Sequence, residues 1–228
     1  MLVKATALVT GGTGGLGTAV TKALLAQGWR VVVPWIEESE LDRLDAAENL
    51  ELVRADLFDP DDAARCAELA ASKHSAPFRA VANLVGGFAV GQKVHQTPVE
   101  EFERLLRLNL RPTYLVSQAA LPRLLEAGGG SIVCVSSQAA LRPFPGASGY
   151  VTSKAAVLAL VDALDAEYAS DGVRVNAVLP TMIDTPGNRA AQPDADPSGW
   201  TPPEKIAEVI AFLCGDASGV VSGAHIPV

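Results

Sequence analysis

The chain has 228 residues, 49% of them apolar, and a formal net charge of −8. That length buries a sizeable core in one or two domains, and the apolar fraction excludes a disordered chain. An acidic balance with no basic block argues against nucleic acid or an anionic membrane as a partner.

No run approaches the length of a membrane span, and residues 1–9 lack the basic-then-apolar layout of a signal peptide. Cys66, Cys134 and Cys214 are scattered and make neither a disulfide framework nor a zinc pattern. His74, His95 and His225 are equally isolated and read as surface or packing residues, so no metal site is expected. A cytoplasmic protein fits this best.

Residues 6–10 form a short apolar strand that runs into Gly11-Gly-Thr-Gly-Gly-Leu-Gly17. Leu16, Ala19, Val20, Ala23 and Leu24 then repeat at helical spacing until Gly28 stops them. Strand, glycine turn and helix are the context in which a glycine motif has meaning. Glycines admit positive φ and close backbone approach, and a helix N-terminus attracts a pyrophosphate. A P-loop is excluded, because Thr18 stands where that motif needs lysine. The spacing Thr10-Gly11-x-x-x-Gly15-x-Gly17 is one residue longer between the first glycines than the common dinucleotide fingerprint.

Strands and helices then alternate. Residues 30–33 read as a strand, 38–44 as a short helix, and 50–54 as a third strand ending at Asp56. Asp59-Pro60-Asp-Asp is a helix start, with a cap, a proline in the first turn and acids at the positive dipole end. Residues 78–85 are the next strand. Thr97-Pro98-Val-Glu100 reads as a capping box that opens a helix to about residue 127, with a kink expected at Pro112, beside Asn109.

Residues 131–136 are a buried strand, and Tyr150 opens an alanine-rich helix after a Pro-Gly turn. Tyr150 and Lys154 are four apart and so share one helix face. The ammonium is placed to favour ionisation of a phenol whose ordinary pKa is about 10. Ser137, at the strand's end, can turn a hydroxyl into the same space. A proton donor, a cation tuning it and a hydroxyl together suit the making or unmaking of a C–OH bond.

Residues 173–179 are another strand, 180–203 a polar, proline-rich loop, 204–214 a last helix and 223–228 a last strand. Seven strands separated by helices predict one α/β domain over residues 1–228, a doubly wound, Rossmann-like parallel sheet with helices on both faces. The loop at 181–203 is long enough to act as a substrate lid.

With these residues in place, the chain resembles the short-chain dehydrogenase/reductase superfamily over nearly its whole length. Thr10, Gly11, Gly15 and Gly17 match the family's glycine motif, and Asn109, Ser137, Tyr150 and Lys154 match its catalytic set. The resemblance implies hydride transfer between an NAD(P) nicotinamide and a small carbonyl or alcohol. In it, Tyr150 moves the proton, Ser137 holds the oxygen, Lys154 bonds the nicotinamide ribose, and the Asn109 carbonyl faces a water that links Lys154 to solvent. The cofactor seat that it implies comprises Gly11, Thr13, Gly15, Leu16, Gly17, Trp35, Asp56, Leu57, Asn83, Gly86, Tyr150, Lys154, Pro180, Ile183 and Thr185. Asp56 is the acid expected at adenine, and Ile183 and Thr185 the residues expected at the carboxamide.

Trp35, with Glu37 and Glu38 just beyond, stands where a base would hold the phosphate of NADP(H), so NAD(H) is favoured over NADP(H). The helix after Tyr150 is apolar nearly all round, which predicts a homodimer or homotetramer. The loop at 180–203 and Gly86-Gly87-Phe88 also resemble dihydropteridine reductase within the superfamily, which implies a quinonoid dihydropterin as the alternative substrate. That subgroup lacks the serine, so Ser137 favours a carbonyl or alcohol. A non-catalytic NAD(P)-binding sensor or scaffold on the same fold is the reading from another class.

Overall fold

The computed structural model describes residues 3–228; Met1 and Leu2, which begin the stretch read for a signal peptide, lie outside them. The strands are β1 (Thr6–Thr10), β2 (Arg30–Trp35), β3 (Leu50–Arg54), β4 (Phe78–Asn83), β5 (Gly130–Val135), β6 (Val173–Leu179) and β7 (His225–Pro227). They form one sheet in the order β3-β2-β1-β4-β5-β6-β7, and every pairing is parallel. The helices are α1 (Gly15–Ala26), α2 (Pro60–Ala71), α3 (Val99–Glu126), α4 (Ser148–Tyr168), α5 (Pro186–Ala191) and α6 (Pro203–Cys214).

The central strands are apolar runs rather than alternating ones because both their faces are covered. Ala7 and Val9 point to the α1/α6 side with Val31, Val33, Ala80 and Ala82. Leu8 points the other way and packs with Val32, Val81 and Ile132 against α2, α3 and α4. The edges are less buried, as β3 and β7 show. Among the described residues, no helix is long and apolar enough to cross a membrane.

The sheet order reverses between β1 and β4, and at such a switch point a crevice opens beyond the strands' carboxyl ends. Thr10 and Asn83, the last residues of these two strands, lie in register there. The Thr10 hydroxyl accepts the Leu84 N–H at 3.0 Å, which ends β4 at Asn83 rather than at residue 85.

Two local readings change. Helix α3 starts one residue later than a capping box needs, with Pro98 at the cap position and no side-chain cap. The Thr97 hydroxyl instead donates to the Gln92 and Lys93 carbonyls at 3.1 and 3.2 Å. Finally, the segment at 180–203 is not irregular throughout. Thr185 caps α5 by accepting the Asn188 N–H at 3.2 Å, with Pro186 in the first turn. The base of the segment is pinned by an Ile183–Thr201 bridge.

Candidate active site

The crevice is a cavity of about 770 Å³. Its floor is the glycine turn. Gly11 has φ +63, and a Cβ on Gly17 would lie 1.9 Å from the Gly11 carbonyl oxygen, so the turn closes this tightly only with glycine at 17. Gly14 caps α1 with no side chain over the helix end. Gly11, Gly15, Leu16 and Gly17 all line the cavity, so backbone N–H groups of the first turn face open space. A side-chain-free, positive helix end of this shape fits the pyrophosphate of a dinucleotide.

At the far wall Ser136 and Ser137 follow directly on the end of β5 at Val135. Ser137 is 7% exposed, accepts the Ala139 N–H at 3.2 Å and lies 3.5 Å from the Pro180 carbonyl. The first turns of α4 bring Tyr150 and Lys154 to the same wall. The Tyr150 ring meets Phe88 edge-on, with centroids 4.9 Å apart. Burial pushes the Tyr150 phenol up, and the nearby Ser137 hydroxyl opposes that shift.

Lys154 is buried and donates to the Val135 carbonyl at 3.1 Å. Burial holds its ammonium down at about 8. Helical spacing puts this charge on the phenol's side, yet the groups that act on the Tyr150 pKa here are its own burial and Ser137.

Asn109 is 1% exposed, and its side chain is fully engaged. Its amide accepts the Gly87 N–H at 2.9 Å and donates to the Gly87 carbonyl at 3.1 Å and to Ser153 at 2.9 Å. A Cβ on Gly86 would lie 2.6 Å from Asn109 Oδ1 and 3.0 Å from Lys154 Nζ. Glycine at 86 therefore lets asparagine and lysine close on the turn after β4. The Asn109 carbonyl, expected to face a water, is 3.3 Å from the Thr113 hydroxyl, which donates to it.

Of the expected cofactor residues, Gly86, Pro180, Ile183 and Thr185 line the cavity with the glycine turn, Tyr150 and Lys154. Thr185 sits against the turn itself: a Cβ on Gly15 would fall 2.7 Å from its methyl carbon. Thr13, Trp35, Asp56, Leu57 and Asn83 are not part of the cavity wall. Asp56 is exposed and accepts the Phe58 N–H at 3.0 Å, and Leu57 packs in the core. Asn83 is buried, donating to Ser117 at 3.1 Å, with its Oδ1 unpartnered.

The cavity also has walls that spacing did not reveal, notably Glu40, Phe88, Arg142, Phe144 and Met182. Glu37 and Glu38 point to solvent, while Glu40 turns back on the glycine turn and accepts the Thr13 hydroxyl at 2.7 Å. Arg43 braces the pair, donating to Glu40 at 2.9 Å and to the Thr13 carbonyl at 3.1 Å. Glu40 is the one carboxylate on the cavity wall among the described residues.

A parallel sheet that opens at its switch point onto a bare helix end belongs to the Rossmann-type dinucleotide-binding class. The sequence pattern of the short chain dehydrogenases matches residues 5–196, and this chain is a member of that family. It is an NAD(P)-dependent oxidoreductase that acts on a small-molecule substrate, which sets aside the non-catalytic sensor.

The chain is 36% identical over 236 residues to 2-(R)-hydroxypropyl-CoM dehydrogenase of Xanthobacter autotrophicus, covering 96% of this chain and 94% of that one. It is 34% identical over 235 residues to cis-4-hydroxycyclohexanecarboxylate dehydrogenase of Sinomonas cyclohexanicum, covering 97% and 94%. A solved 3-ketoacyl-(acyl-carrier-protein) reductase from Brucella melitensis, complexed with NADH, superposes with a TM-score of 0.86 at 27% identity, covering 100% and 98%.

Proposed function

We propose that the protein interconverts a ketone and a secondary alcohol, with Ser137, Tyr150 and Lys154 as catalytic residues and NAD(H) as cofactor. The observation that carries this is that Ser137, Tyr150 and Lys154 meet on one wall of the glycine-floored cavity. The relatives named above support it, since both are named as dehydrogenases of a hydroxyl-bearing substrate. When bound, the nicotinamide supplies or accepts the hydride.

The chain's own residues do the rest. The turn at Gly11, Gly15 and Gly17 holds the pyrophosphate, Lys154 the nicotinamide ribose, and Pro180, Ile183 and Thr185 the carboxamide. Tyr150 gives a proton to the substrate oxygen in reduction and takes it back in oxidation, and Ser137 donates a hydrogen bond to that oxygen. Asn109 positions Lys154 by bracing the turn at Gly86 and Gly87. Turnover of NADH with a panel of ketones, quinones and dihydropterins tests the reading; a panel on which only dihydropterins react would contradict it.

Cofactor choice rests on Glu40. A carboxylate beside the glycine turn accepts ribose hydroxyls and repels the extra phosphate of NADPH. Arg43 is already committed to that carboxylate and to Thr13. NADH should therefore bind about 5- to 30-fold more tightly than NADPH, since one misplaced charge is worth on the order of 1–2 kcal/mol at a half-exposed site. Replacing Glu40 by alanine should narrow that gap by freeing Arg43. Calorimetric titration that found NADPH the tighter ligand of the wild type would refute the assignment.

Assembly follows from what α3 and α4 leave uncovered. Tyr114 and Leu125 on α3 are 49% and 38% exposed, and Ala159, Ala163 and Ala166 on α4 face solvent. Covering both helices across a two-fold axis gives a homodimer or homotetramer. Light scattering at micromolar concentration should give a multiple of 23.7 kDa; a monomer would contradict the pairing.

A further inference from the structure

Ser137, Gln138, Ala139, Arg142 and Phe144 lie on one connection, and all five line the cavity. Residues 138–140 make a single tight turn. The Arg142 N–H continues it by donating to the Gln138 carbonyl at 2.9 Å. This connection leads into α4 and Tyr150, so its side chains wall the reacting end of the cavity rather than the glycine end. Phe88, which touches Tyr150, and Met182, which follows Pro180, also line it. The result is an apolar chamber with a guanidinium at its mouth.

The state of that guanidinium separates it from the other arginines nearby. Arg43, at the glycine end, is neutralised by Glu40, and Arg189, in the segment over the cavity, is paired with Asp184. Arg142 is exposed and makes neither an ion pair nor a side-chain hydrogen bond among the described residues. No carboxylate lines this end of the cavity. Lys154, the other cation on the wall, is buried and committed to the Val135 carbonyl. An uncommitted planar fork of donors at the mouth of an apolar chamber recognises a carboxylate or similar anion in bidentate fashion. In a chain of net charge −8 an anionic substrate meets a repulsive field at distance. A local, unpaired cation is then what makes such a substrate acceptable.

We propose that Arg142 makes the enzyme selective for substrates that carry an anionic group, a carboxylate in the first instance, on an apolar body remote from the reacting carbon. This rests on the ketone/alcohol reading of the cavity. The contact is formed in ground state and transition state alike, so its effect falls on KM rather than kcat.

The test compares cyclohexanol with 4-hydroxycyclohexanecarboxylate as substrates for oxidation by NAD, in the full-length wild type and in Arg142→Met and Arg142→Lys. The wild type is expected to favour the carboxylate by roughly 10-fold or more in kcat/KM, the scale of one charge-assisted pair near a surface. Arg142→Met should erase that preference through KM and leave cyclohexanol turnover within about twofold, because a long apolar side chain keeps the wall. Arg142→Lys should retain part of the preference, and added salt should weaken it only for the acid. Binding of cyclohexanecarboxylate to the protein–NADH complex, followed by nicotinamide fluorescence, should weaken in parallel in Arg142→Met. Equal use of both alcohols by the wild type, or an equal loss on both in Arg142→Met, overturns the role of Arg142 and leaves the ketone/alcohol reading standing. No turnover of either alcohol or of the matching ketones overturns both.

Discussion

Tyr150→Phe is expected to lower turnover by about 10²–10⁴-fold, the range of a lost general acid–base, with dinucleotide affinity unchanged. Phenylalanine keeps the ring, its burial and the edge contact with Phe88, and removes only the oxygen that carries the proton. Thermal unfolding should therefore stay near the wild type, and the change should appear in kcat.

The pH dependence has a definite sign. Burial raises the Tyr150 pKa, so the phenol is protonated at neutral pH and ready to act as the acid of ketone reduction. Alcohol oxidation needs the phenolate, and its rate should rise as pH climbs toward the phenol's raised pKa, while reduction falls over the same interval. Tyr150→Phe should flatten both profiles. A variant that kept more than about a tenth of wild-type activity would remove Tyr150 from the acid–base role.

Ser137→Ala is expected to cost about 10²–10³ in kcat on the best ketone, the penalty for losing one donor aimed at developing charge. In ketone reduction negative charge gathers on the carbonyl oxygen, and the Ser137 hydroxyl, on the same cavity wall as the Tyr150 phenol, is the side-chain donor that meets it. A quinonoid dihydropterin has an electron-poor ring that accepts hydride readily, and its reduction needs no such hydroxyl. The loss should therefore be large on a ketone and slight on a dihydropterin. Ser137 also accepts the Ala139 N–H, so melting temperature must be read alongside to separate chemistry from a slackened turn. Near-full activity of Ser137→Ala, with a dihydropterin as the best substrate, would sink the serine argument and raise the pterin reading in its place.

Much of the scaffold is legible in the chain because its signals are local. β1, β2 and β6 are runs of β-branched and small apolar residues, as strands buried on both faces must be. The Asp59 cap before Pro60 forms as read, accepting the Asp61 N–H at 2.8 Å. The α5 start carries the same signature in Thr185-Pro186, so that helix was visible beneath the proline-rich composition.

Other features depend on approaches that no spacing encodes. Glu40 reaches Thr13 only because a tight turn over Glu38–Arg43 folds back on the glycine loop, whereas Glu37 and Glu38 carry the same charge into solvent. Lys154 stands one turn from Tyr150, yet which oxygen its long side chain reaches is decided by the end of β5. Phe88, Arg142 and Met182 come from three separate connections, and only the closed sheet makes them neighbours of one cavity.

The central claim, hydride exchange with a carbonyl carbon assisted by Tyr150, is tested most directly by isotope transfer. NADH deuterated at the transferable C4 position is incubated with a cyclic ketone and the protein, and the product alcohol is examined by mass spectrometry. One deuterium is expected on the carbinol carbon, formed by the wild type and slowed by the full acid–base factor in Tyr150→Phe. An unlabelled alcohol, or a labelled one formed equally fast by both proteins, would contradict it.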